Sequence, residues 1–98
     1  MTPRDPAHQL LAAFSDRLGP IGDVALRSIP WMSATFSGAR HQFAFTVPSN
    51  TDVEGFAARI GDDEIPLRKG IVADIVVTGH AACERGIRVK VEALTIEE

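Results

Sequence analysis

The residues able to do chemistry in this chain are few and scattered. His80, Cys83 and Glu84 stand close together in sequence, and an H-x-x-C pair could bring an imidazole and a thiolate to one metal ion. Zinc asks for three or four such ligands. The remaining histidines, His8 and His41, fall near the start of the chain and in an earlier hairpin, poorly placed to complete the set. Neither a C-x-x-C pair nor an H-E-x-x-H motif is present. The expectation is no bound metal, with Cys83 an incidental thiol in a solvated turn.

Two further positions could hold a ligand. Arg40 and His41, beside Gly38, would make an anion-binding corner from a guanidinium, an imidazole and nearby backbone amides, although a hairpin turn with exposed polar residues has the same composition. Asp74 interrupts the apolar run of residues 71–77. A carboxylate there must reach solvent or find a partner, since an unpaired buried charge is costly; alternatively burial raises its pKa and it serves as an acid or base beside His41 or Arg40. Arg40, His41, Asp74 and His80 are therefore the candidate ligand-binding residues. No catalytic residue and no cofactor emerges. Ser28, Ser33 and Ser37 lie in or beside expected strands, none in a G-x-S-x-G elbow, and the glycine-rich nucleotide loops are absent.

The elements that must position these residues are legible in outline. Asp5-Pro6 combines a side-chain acceptor for free amides with a proline at the first helical position. Leu10, Leu11, Phe14 and Leu18 then share one helical face, and Gly19-Pro20 supplies a stop. Residues 23–29 alternate weakly and fit a short edge strand or a single helical turn, with the strand preferred. From Trp31 the period is 2, with a turn at residues 38–40 and a return through Phe43, Phe45 and Val47. Thr51 and Glu54 fit a capping box for a second helix carrying Val53, Phe56, Ala57 and Ile60, ended by Gly61. Residues 65–67 are expected as a short edge strand. Residues 71–78, the most apolar strand, are expected at the centre of a sheet. A second hairpin, turning within residues 80–86, returns through Ile87, Val89 and Val91.

Leu26-Arg27 and Gly38 recur as Leu67-Arg68 and Gly79 at one offset of 41. With the order of elements, this suggests a duplicated αβββ unit, in half-repeats 5–48 and 51–94. The expected fold is α+β: an antiparallel sheet with two helices on one face, in a single domain of residues 1–98. The helix-covered face would take Met32, Phe36, Phe43, Phe45, Ile75, Val77, Val89 and Val91. The other face would carry Trp31, Ser33, Thr35, Ala44, Thr46, Val72 and Val76, unusually apolar for a wetted sheet.

Composition narrows the function without naming it. The 98 residues are 45% apolar and 23% charged, with a net charge of −3. That balance opposes general nucleic-acid binding, which draws its affinity from Lys and Arg neutralising phosphates. No segment nears the roughly 20 apolar residues of a membrane helix, and the opening residues lack a signal peptide's apolar region. A single cysteine fits a reducing compartment, so the expected location is cytoplasmic. The reading is a small non-enzymatic module that acts by self-association or by binding a protein partner. It is expected to be a homodimer, with Trp31, Val72 and Val76 at the interface. The alternative is small-molecule, anion or metal binding in a groove between the two halves.

Overall fold

The computed structural model describes residues 5–97. The first helix, α1 (Pro6–Leu18), starts as its sequence dictates: the Asp5 carboxylate accepts from the Ala7 amide at 2.9 Å, and the chain leaves through Gly19 at φ 87°, whose N–H returns to the Ser15 carbonyl. Ala7, Leu10, Ala13 and Phe14 form its buried stripe. Then come β1 (Gly22–Met32), β2 (Ser37–Val47), a short α2 (Val53–Arg59), β3 (Gly70–Cys83) and β4 (Gly86–Glu97). The fold is α+β, a four-stranded antiparallel sheet with both helices on one face.

The strand order is β1-β2-β4-β3, so the two hairpins meet along β2 and β4 at the centre. The helix-covered core follows strict alternation: Phe43, Phe45 and Val47 from β2, and Val89, Val91 and Ala93 from β4, are all buried. Phe14 ties the layers together. Its ring stands 5.1 Å from Phe43 and 5.8 Å from Phe56, edge-on to both, and 6.0 Å from Phe45.

Several local expectations are corrected. The first hairpin turns at residues 33–36, where the Ser33 hydroxyl accepts from the Phe36 amide at 3.0 Å, and not at residues 38–40. Residues 23–29 and Trp31 thus belong to one long strand. Pro30 lies within it because β1 is an edge, where a missing N–H is tolerated. Gly38 continues in β2: a side chain there would meet the Thr95 carbonyl carbon and oxygen of the neighbouring strand. The cap of α2 is Asp52, accepting from the Gly55 amide at 2.9 Å, in place of Thr51. Residues 65–67 form no strand, only a bridge from Leu67 to Gly70. The most apolar strand, β3, lies at the edge; it reads as continuously apolar because Val72, Ile75 and Val77 pack under the helices while Ile71 and Val76 face the open side.

The element order repeats as helix-strand-strand, not as αβββ. The offset of 41 sets Gly38 in β2 against Gly79 in β3, so those identities mark no equivalent positions. Among the described residues no helix is long and apolar enough to cross a membrane.

Candidate functional site

The four candidate ligand residues do not converge. Consecutive residues of a strand point to opposite faces, which separates Arg40, on the open face, from His41, 2% exposed beneath the helices. Asp74 is exposed on the open face, across Leu94 from Arg40. Arg40 and Asp74 line one shallow concavity of about 190 Å³ with Val76, Thr78, Glu92 and Leu94. His80 pairs with Val89, five residues along β4 from Leu94, and is exposed at the sheet's edge. Cys83 is exposed beside the second hairpin turn. Among the described residues, no three His, Cys, Asp or Glu side chains gather closely enough to hold a metal ion.

His41 instead belongs to a polar chain inside the fold. Its Nε2 lies 2.9 Å from Thr95 Oγ1 and its Nδ1 2.7 Å from Ser28 Oγ. Thr95 donates its own proton to the Ala39 carbonyl at 3.4 Å, so its oxygen receives the His41 Nε2–H. The Nδ1 lone pair is left to accept from Ser28. Burial lowers the His41 pKa, opposed by the Asp5 carboxylate at the start of α1. A serine hydroxyl on a neutral imidazole has the local form of a nucleophile and base. Yet Ser28 is exposed on its edge strand while His41 is 2% exposed, and the arrangement satisfies both ring nitrogens of the buried histidine. Extending the β2 alternation back from Phe43 by two residues would have placed His41 on the buried face; reading residues 38–40 as a turn hid that signal.

The open face is the surface that stands out. Its residues fall in ladder rows across all four strands. One row runs Trp31, Gly38, Ile96, Ile71; the next Ile29, Arg40, Leu94, Asp74; the third Arg27, Gln42, Glu92, Val76. Ile29, Ile71 and Val76 are 39%, 51% and 48% exposed, and Trp31, Leu94 and Ile96 are half-buried. Val72, expected on this face, lies on the other: Ala73 is an extra residue in β3, so Val72 packs on the core while Asp74 turns outward.

From the third row onward the face becomes polar. Arg27, Gln42, Lys90 and Glu92 surround a trough of about 390 Å³ over Ala25 and Ala44. Arg88 is held there by its own chain, donating to the Asp23 carbonyl at 2.6 Å and to Thr46 Oγ1 at 3.1 Å. Arg85 reaches Asp23 as well. By contrast, among the described residues the side chains of Arg27, Arg40, Asp74 and Glu92 make no hydrogen bond or ion pair. No protein-family model, no curated protein and no solved structure matches this chain.

Proposed function

We propose that the chain is a self-associating, non-enzymatic module whose working surface is the open face of the sheet, and that it acts as a homodimer in the cytosol. The observation carrying this reading is the group of Ile29 and Trp31 on β1, Leu94 and Ile96 on β4, and Ile71 and Val76 on β3, joined through Gly38 of β2 and, among the described residues, covered by no helix. A wetted sheet face normally carries polar side chains, and a contiguous apolar patch marks an interaction surface. Four strands about 4.8 Å apart and about ten residues long at about 3.3 Å offer roughly 600 Å² per copy. Twice that reaches the lower end of the roughly 1,200–2,000 Å² buried in stable interfaces.

The sheet edges support a face-on mode. Every register shift of the sheet falls on an outer strand: one in β1, two in β3. Pro30 interrupts β1 as well. Bulges and proline on edges discourage strand addition, which leaves the face. The exposed free thiol of Cys83 suits a reducing compartment.

Sedimentation equilibrium is the test: a dimer at micromolar concentration, which Val76→Lys turns into a monomer of unchanged circular dichroism. A monomeric wild type overturns the reading. The second reading, an anion or small molecule on the same face, draws on the trough between Arg27 and Lys90. A monomer whose melting temperature climbs with phosphate or citrate, and loses that response in Arg27→Ala, would favour it.

A further inference from the structure

We infer that Ser28 is a nucleophilic serine, the point at which the chain takes up an acyl group from an activated ester, with His41 as its base and Thr95 positioning the ring. This goes beyond self-association and does not lean on it: Ser28 stands opposite His41 on the helix side of the sheet, away from the open face. A nucleophilic serine need not sit in a G-x-S-x-G elbow. It needs a hydroxyl open to the reagent, a neutral ring nitrogen within hydrogen-bond reach, and a third group that fixes which nitrogen that is.

All three are built here. Ser28 is exposed on β1, and its Oγ lies 2.7 Å from His41 Nδ1. The ring behind it is 2% exposed. Its other nitrogen is committed to Thr95 Oγ1 at 2.9 Å, which leaves the Nδ1 lone pair directed at the serine proton.

The ladder accounts for this contact and adds a donor. The Ser33 amide donates to the Phe36 carbonyl at 2.7 Å, closing the first hairpin as a hydrogen-bonded pair. Hydrogen-bonded and non-hydrogen-bonded pairs alternate along antiparallel strands, and the register runs unbroken from Met32–Ser37 back to Ala25–Ala44. Met32, Pro30 and Ser28 therefore fall in non-hydrogen-bonded pairs. Pro30, with no N–H to give, agrees with that count. Side chains of such pairs approach most closely, which brings Ser28 to His41. The N–H of such a residue points away from its partner strand, and β1 has no neighbour on its other side. The Ser28 amide is thus a donor beside its own Oγ, placed to receive the negative charge that develops on an acyl oxygen.

With an aryl ester, Ser28 Oγ bonds to the acyl carbon while its proton passes to His41 Nδ1. The bond from that carbon to the phenolic oxygen breaks, and the proton on Nδ1 goes to the leaving phenol, directly or through solvent. Only between these events do both ring nitrogens carry hydrogen, donating to Ser28 and to Thr95. Nothing is oxidised or reduced. Because Ser28 stands between the buried ring and solvent, its acyl ester shields Nδ1 from the water needed to hydrolyse it. The product is one acyl group held per chain, which leaves the chain a module and not an enzyme.

The experiment treats the full chain with p-nitrophenyl acetate and locates the acetyl groups by peptide mass mapping, with circular dichroism confirming that each variant folds. Ser33, an exposed serine whose hydroxyl is held by its own turn, is the internal standard. Ser28 should be acetylated about 100-fold or more faster than Ser33, and His41→Phe should remove the difference. In wild type the Ser28 rate should be flat above about pH 6.5 and fall below it as His41 takes up a proton; the Asp5 carboxylate, with His8 beside it on α1, is the charged group facing that ring. Thr95→Val should slow the reaction, since Nε2 loses its acceptor and the ring is free to carry its proton on Nδ1, and Thr95→Ser should restore it. A Ser28 that reacts no faster than Ser33, a folded His41→Phe chain that reacts at the wild-type rate, or a Ser28 rate that climbs steadily to pH 9 overturns the inference. Each of these leaves the self-association reading standing, which sedimentation decides separately.

Discussion

Thr95 Oγ1 and His41 Nε2, 2.9 Å apart in the buried layer of the sheet, bind the two central strands through side chains as well as through their ladder. The link requires a neutral ring. Only then can Nε2–H donate to Thr95 while Nδ1 accepts from Ser28, and burial holds the His41 pKa below its ordinary 6.5. Phe43, its ring centroid 6.1 Å away, supplies part of the apolar surroundings. The Asp5 carboxylate acts in the opposite sense without reversing the shift.

A pH dependence follows. The folded chain holds this proton less tightly than the unfolded chain, so the contribution of neutral His41 is complete above about pH 6.5 and is lost as pH falls from there through the folded pKa. Urea melts at pH 8 and pH 5 should show wild type losing stability relative to His41→Leu. At pH 8 the variant should be less stable by about 1–3 kcal/mol, the cost of stranding hydrogen-bonding groups. A gap that stays constant across this range would mean that His41 does not titrate with folding.

How far the sequence discloses this arrangement depends on whether one local signal had one physical cause. The start of α1 is legible because Asp5, Pro6 and the spacing of Leu10 and Phe14 all indicate a helix. The β2 and β4 faces are legible because Phe43, Phe45, Val89 and Val91 keep strict alternation. Gly38 misleads because glycine serves both turns and close backbone approach, and only the neighbouring strand reveals which. Val72 misleads because a bulge leaves no mark on the apolar pattern of residues 71–77, yet inverts every side chain before it. Arg40 and Asp74 are recognisable as candidates, but that they share a face while His41 does not is decided by that bulge and by the true position of the turn.

Phe14 is the residue on which the helical layer depends most. It is fully buried and its ring meets Phe43, Phe45 and Phe56, drawn from β2 and α2. Phe14→Ala should cost about 3–5 kcal/mol, a large share of the about 5–15 kcal/mol that holds an ordinary domain folded. Denaturant melts would show it. A loss under about 1 kcal/mol would mean that the helices are docked by something other than this aromatic cluster.

Val72 and Val76 provide a direct test of the two faces. Both are valines of β3, but Val72 packs on the core and Val76 is 48% exposed on the open side. Val72→Lys should therefore destabilise the fold by about 1–3 kcal/mol as the ammonium is forced toward apolar surroundings. Val76→Lys should leave stability of the single chain within about 0.5 kcal/mol and act on association alone. Thermal melts together with sedimentation separate the two effects. The reverse pattern would show that Ala73 does not interrupt the alternation of β3.

Gly38 and Gly79, which the offset of 41 sets side by side, should respond in opposite ways to one methyl group. A Cβ on Gly38 would collide with the Thr95 carbonyl oxygen and fall 2.9 Å from its carbon, both backbone atoms of the adjacent central strand. Alanine there must push β2 and β4 apart where Thr95 receives His41, at a cost of about 1–3 kcal/mol, the usual range for overpacking. Gly79, on the edge strand, has nothing within 4 Å of a built Cβ and no constrained positive φ. Gly79→Ala therefore only reduces the freedom of the unfolded chain, and should stabilise by about 0.5–1 kcal/mol. Equal responses in paired urea melts would mean that the two glycines are equivalent after all, and that the repeat reaches further into the fold than its strand order indicates.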